Sequence, residues 1–168
     1  MKEKLSKLIV ILLMFIMGCI STNISKGDFP KDGKAVVFMG VKMSGDVYTY
    51  GVFIAQENRH VRESDGLFNF YSNKPIEAIF LLPGKYYYTV ANYANVIIFL
   101  HNPKRIFKID DNYINYIGTI VFDSDQANMI FNAKIDDTQG TYKEAIQNFK
   151  MRFPELSKKY KFKYSLLN

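Results

Sequence analysis

Hydrophobic and polar positions alternate in short runs between residues 34 and 136, and turn-forming residues separate the runs. Apolar, β-branched and aromatic side chains concentrate at 35–41, 47–55, 67–71, 76–82, 86–93, 96–100, 105–109, 113–123 and 128–136. Segments of this length and composition suit a pleated, half-buried surface. Between them lie Ser44-Gly45-Asp46, Ser64-Asp65-Gly66, Ser72-Asn73-Lys74-Pro75, Pro83-Gly84, Asn102-Pro103 and Asp110-Asp111-Asn112. Each is rich in residues that reverse the chain at little steric cost. No helical period interrupts the series to make parallel crossovers. The pattern therefore predicts a mainly β domain over 34–137, an antiparallel β-sandwich.

The faces of several strands can be assigned. In 128–136, Met129, Phe131, Ala133 and Ile135 share one side, and Asn132, Lys134 and Asp136 the other. In 113–122, Ile114, Tyr116, Ile120 and Phe122 read as one continuous face, with Gly118 leaving space among them. The run 96–100 is apolar throughout, which predicts a strand covered on both sides.

Past residue 137 the period changes. Tyr142, Ala145, Ile146, Phe149 and Phe153 recur at helical spacing and make one apolar stripe. Thr141 and Glu144 have the spacing of a capping box. Pro154 stops the helix, with room for a second short turn from Glu155. An amphipathic helix of this kind is expected to pack on the sandwich as its lid.

The other end of the chain has a different logic. Lys2, Lys4 and Lys7 outweigh Glu3, and the apolar run 8–17 carries no charge. Ten helical residues reach only about 15 Å, half of the roughly 30 Å hydrocarbon core of a bilayer. A positive start, a short apolar stretch and a small residue at its end describe an export signal. Cys19, the single cysteine, follows at once.

Ile16-Met17-Gly18-Cys19 resembles the lipobox of bacterial lipoproteins. The resemblance implies diacylglycerol in thioether linkage on Cys19, with Ile16, Met17 and Gly18 read by the signal peptidase and cleavage after Gly18. Ile20 stands where an Asp favours inner-membrane retention in many Gram-negative bacteria, so the resemblance points to the outer membrane. The competing reading is an uncleaved membrane anchor with an incidental thiol. A lone cysteine in an exported chain makes better sense as an acyl acceptor. On this reading 1–18 is a signal peptide and 19–33 a lipidated N-terminus and flexible tether, rich in Ser, Asn, Lys, Asp and Gly. A chain beginning near Ser25 is then expected to keep its full stability. Cleavage leaves 150 residues, and the loss of three lysines and one glutamate lowers the net charge from +6 to +4.

A second resemblance lies inside the domain. Leu81-Leu82-Pro83-Gly84-Lys85-Tyr86-Tyr87 is similar to the turn that enters a strand in prealbumin-like and carboxypeptidase-regulatory-like β-sandwiches, with Gly84 expected at the positive φ of a type II turn. Tyr116-Ile117-Gly118-Thr119-Ile120 is similar to a strand found in uncharacterised bacterial lipoproteins with such domains. The similarity implies a fold and brings no catalytic residues with it.

Candidate chemistry is sparse. His60 lies in a charged stretch and His101 at a strand end, and neither has a recognisable nucleophile or orienting partner. Asp123-Ser124-Asp125 and Asp136-Asp137 lack the ordered oxygen spacing and turn glycine of a calcium loop, so no metal and no cofactor is expected. Tyr86 and Tyr88 share one face of their strand and are candidates for contact with a protein or glycan, the alternative being a place in the core. Between residues 150 and 163, Lys150, Arg152, Lys158, Lys159, Lys161 and Lys163 face a single Glu155. Lys158, Lys159 and Lys161 are candidates for contact with anionic lipid headgroups or acidic envelope polymers; the alternative is a solvated tail. Nucleic acid is a poor partner for an exported chain. The expectation is a lipid-anchored envelope protein whose non-catalytic sandwich, with a C-terminal helix and basic tail at 138–168, binds a protein or glycan. An exported hydrolase with an unrecognised site and a purely structural envelope component are the alternatives.

Overall fold

The computed structural model describes residues 23–44, 49–58, 64–71, 73–93, 96–100, 105–125 and 130–166. The lipobox residues Ile16, Met17, Gly18 and Cys19, and both histidines, lie outside them. Among the described residues, ten strands and two helices follow in the order β1 (Ala35–Ser44), β2 (Thr49–Gln56), β3 (Gly66–Tyr71), β4 (Ile76–Leu81), β5 (Gly84–Tyr93), β6 (Val96–Phe99), β7 (Ile106–Ile109), β8 (Tyr113–Asp125), β9 (Ile130–Asp136), α1 (Gln139–Arg152), α2 (Pro154–Lys159) and β10 (Lys161–Tyr164). Two five-stranded sheets face each other. One has the order β10-β8-β1-β4, with β9 also on β8; the other has β3-β2-β5-β6, with β7 also on β5. The mainly β sandwich with a C-terminal helix is the architecture the sequence predicts.

Two pairings were not expected. β1 runs parallel to β8, with Val36 opposite Ile114, and β10 runs parallel to the start of β8, with Lys161 opposite Tyr113. The first sheet is therefore mixed. Residues 161–164, read from the sequence as a basic tail, are its edge strand.

Burial is organised in two layers. Between the sheets, Val37 and Met39 of β1, Val52 and Ile54 of β2, Phe68 and Phe70 of β3, and Ile120 and Phe122 of β8 form the inner core. On the outer face of the first sheet, Val36, Phe38, Ile76, Ala78, Ile114 and Tyr116 meet Ala145, Phe149, Phe153 and Leu156 of the helical segment. Covered on both sides, β1 is buried at each position from Ala35 to Val41. The equally apolar β6 is not: Ile97 and Phe99 are 61% and 64% exposed. It is an edge strand with cover on one side only, so its run alternates in burial although not in sequence.

Gly118 corrects the face assignment in β8. Phe38 pairs with Tyr116 but Gly40 with Thr119, so β8 holds one extra residue there, and Gly118 takes φ +114°. A one-residue bulge exchanges the two faces of everything beyond it. Ile114 and Tyr116 thus face the helices, whereas Ile120 and Phe122 face the inner core. A Cβ on Gly118 would come within 2.8 Å of Ile135.

The helix start is also displaced. Thr138, not Thr141, is the N-cap of α1. Thr141 is buried within the helix and donates its hydroxyl to the Thr138 carbonyl at 2.8 Å. Asp136 caps from outside, accepting from the Thr138 amide at 3.0 Å, and this bond holds its carboxyl below the ordinary range. Glu144 reaches Lys42 of β1 at 2.9 Å instead of turning back on its own helix. At the Pro83-Gly84 corner the chain passes from one sheet to the other, and Gly84 has φ +154°, far from the roughly +80° of a type II turn. The Tyr86 hydroxyl donates to the Leu82 carbonyl at 2.8 Å and pins this corner.

Candidate functional site

Tyr86 and Tyr88 are 1% and 0% exposed and stand against Phe107 in the inner core, so the tyrosine row of β5 is not a contact surface. The strand pattern alone could not tell which face of β5 would meet the other sheet. The expected basic cluster is divided. Lys158 pairs with Glu155 at 2.9 Å, both groups well exposed. Lys159 lies over the rings of Phe29 and Tyr160, and Lys161 is exposed on β10. Lys163 pairs with Asp110, and Lys150 lies over Phe162. Lys158, Lys159 and Lys161 thus stay exposed to solvent, while Lys150 and Lys163 pack on the domain and residues 161–164 form β10 instead of a free tail.

Buried polar groups are likewise structural. Asn115 shares its two amide hydrogens among the carbonyls of Val36, Asp110 and Tyr113 and accepts from the Asp110 amide and the Ser165 hydroxyl, which fills its carboxamide. Tyr116 and Thr119 share a hydrogen bond of 2.7 Å, and burial pushes the Tyr116 phenol up to about 12. Among the described residues no group of three His, Cys, Asp or Glu could hold a metal ion.

The most distinctive surface lies where the chain joins the domain, along the edges of β3 and β4. Unpaired strand edges expose amides and carbonyls that would recruit another chain. Here the N-terminal segment occupies them. The Asn23 carboxamide accepts from the Asn69 amide at 3.0 Å and donates to the Asn69 carbonyl at 2.6 Å, completing an edge position of β3. The next residue, Ile24, donates its amide to Ala78 of β4 at 2.8 Å and buries its side chain in the outer core, at 7% exposure. Two consecutive residues thus bridge the two sheets. The reading of 19–33 as a free tether is corrected from Asn23 onward, and a chain beginning at Ser25 loses this bridge. Asn23→Ala removes two part-buried hydrogen bonds of about 0.5–1.5 kcal/mol each. A drop in melting temperature of a few degrees is expected, and an unchanged value would show that the bridge contributes nothing.

Arg152, in the last turn of α1, completes the same edge. It passes around β4, donating to the Ile76 carbonyl and to Glu77 Oε2 at 2.8 Å. Glu77 is fully buried, and its Oε1 has no hydrogen-bond partner. Burial raises the Glu77 carboxyl above its ordinary range, against the opposing hydrogen bond and charge of Arg152 and the charge of Lys74.

Outside this pair opens a cleft of about 520 Å³, lined by Asn23 to Lys26, Asn69, Tyr71, Lys74 and Arg152. Its charged lining residues are all cationic. Lys74 lies 5.0 Å above the Tyr71 ring, which is 43% exposed. The nearest acid along the chain, Asp28, turns its carboxylate to the Ser25 amide at 2.7 Å. Such a cleft suits a phosphate or carboxylate group. Local sequence does not reveal it, because Lys26, Lys74 and Arg152 come from three distant segments. No protein-family model, no curated protein and no solved structure matches this chain.

Proposed function

We propose that the chain is a bacterial lipoprotein, held by lipid on Cys19 at the exported side of a membrane, the outer membrane in a Gram-negative cell. Its non-catalytic β-sandwich binds a second envelope component, a protein or a glycan. The observation that carries this reading is Ile16-Met17-Gly18-Cys19 directly behind an uncharged apolar run. Prealbumin-like ancestry, suggested by Pro83-Gly84 and Tyr116 to Ile120, belongs to the same proposal. Exposed Ile97 and Phe99 on the edge strand β6 favour a partner over a purely structural role.

The test is acylation in the cell. Wild-type protein is expected to incorporate labelled fatty acid and to lose residues 1–18, and Cys19→Ala to accumulate as an unlipidated precursor. Mass spectrometry that finds an intact N-terminus with unmodified Cys19 in the wild type would end the lipoprotein reading.

A further inference from the structure

We propose that the cleft of Lys26, Lys74 and Arg152 seats the phosphate headgroups of anionic lipids in the bilayer that holds Cys19, an inference that rests on the anchor proposed above. Asn23 is four positions beyond Cys19, and four peptide steps of any conformation span at most about 14 Å. Asn23 is itself clamped to Asn69 in the wall of the cleft. The Asn23 wall of the cleft therefore lies within about 14 Å of the acylated residue however the domain tilts. Charges at a membrane surface are felt over about one Debye length, roughly 8–10 Å at physiological salt. Turning the cleft toward the headgroups brings its cations inside that range.

The chemistry of the cleft matches such a surface. Lys26 and Lys74 are exposed, and the one carboxylate behind them, Glu77, is buried and paired with Arg152. The guanidinium is fixed in direction by the Ile76 carbonyl and by Glu77, which leaves further N–H donors of its five for a phosphate. Tyr71 adds an exposed amphipathic ring beside Lys74, a side chain suited to the headgroup layer. Phe29, 38% exposed with Lys159 5.1 Å from its ring, extends the same mixture of aromatic and cation along the N-terminal segment.

The experiment uses full-length lipidated protein carrying Asn73→Cys, an exposed turn position beside Lys74, labelled with a polarity-sensitive fluorophore. Thiol titration of the parent protein comes first, because acylated Cys19 leaves no free thiol. The labelled protein is reconstituted in vesicles of phosphatidylcholine alone or with phosphatidylglycerol. Emission is expected to move to the blue, and quenching by aqueous acrylamide to fall, only with phosphatidylglycerol. Salt near 1 M should abolish the difference, since screening then acts within about 3 Å. Lys26→Ala with Lys74→Ala should weaken the anionic-lipid preference about 25-fold, about fivefold for each lysine near the surface. Lys134→Ala, on β9 at the opposite edge of the first sheet, should leave it unchanged. Equal melting temperatures would show that these exposed substitutions leave the fold intact. Identical emission in both vesicles with Cys19 acylated overturns the headgroup site alone, as does a preference that survives the double substitution. A free thiol at Cys19 overturns the anchor, and this inference with it.

Discussion

Phe149→Ala is expected to lower stability by about 3–5 kcal/mol, the range for an aromatic side chain truncated in a core. Phe149 has no exposed surface, and its ring lies 4.7 Å from Phe38, 4.9 Å from Phe153 and 5.6 Å from Phe162. These three partners come from β1, the end of α1 and β10. Removing the ring leaves a void at the junction of sheet, helix and edge strand, where no single element can move to fill it. In a domain of this size each kcal/mol displaces the melting temperature by about 2–4 °C, so a fall of at least about 6 °C is expected. Lys158→Ala should hardly change it, because an exposed ion pair contributes little. Thermal melts of the three proteins decide the matter; wild-type behaviour of Phe149→Ala would mean that α1 is not the lid.

Arg152→Ala is expected to cost about 3 kcal/mol at neutral pH. That is the lower end of the range for breaking a buried ion pair, because the Arg152 side chain keeps 25% exposure while Glu77 keeps none. The loss should depend on pH in a definite direction. The Glu77 carboxyl is raised above its ordinary 4.5 by burial, so its contribution to stability is fully present below 4.5 and is lost as pH rises through the higher folded value. Without Arg152 the two largest opposing influences disappear, and the folded value rises further. The penalty of Arg152→Ala should therefore be greatest near neutrality and shrink toward pH 4.5, where a neutral Glu77 no longer needs the guanidinium. Adding Glu77→Gln should recover most of the loss at pH 7. Denaturant titrations from acid to neutral pH test this, and a pH-independent penalty would refute the account of Glu77 as a buried charge held by Arg152.

Nine of the ten strands among the described residues can be read from local composition, because most are bounded by turn residues whose chemistry acts over four positions or fewer. The same locality explains what was missed. Lys161–Tyr164 alternates lysine with aromatic residues over only four positions, and its partner Tyr113–Tyr116 is far away in sequence, so the segment reads as part of a basic tail. The parallel match of β1 to β8 joins positions almost eighty residues apart. A single glycine bulge inverted the predicted faces of β8, which strict alternation cannot anticipate. The basic cleft was illegible for a similar reason. In sequence Arg152 is one of a run of basic residues, yet it points back around β4 to Glu77, a buried glutamate with no local signature.

The parallel pairing of the first and eighth strands has a consequence for the order of events in the cell. Among the described strands β1 is the first to be synthesised, and it is flanked by β4 and β8 and roofed by α1. Its last neighbour in the sheet is made some eighty residues later, and the sheet's far edge is finished only by β10. No N-terminal portion of the chain can close its own core, and a topology dominated by such distant pairings folds slowly. Completion of the first sheet therefore waits for β8 and β10. For a chain exported as proposed above, that delay keeps it threadable until it has crossed the membrane.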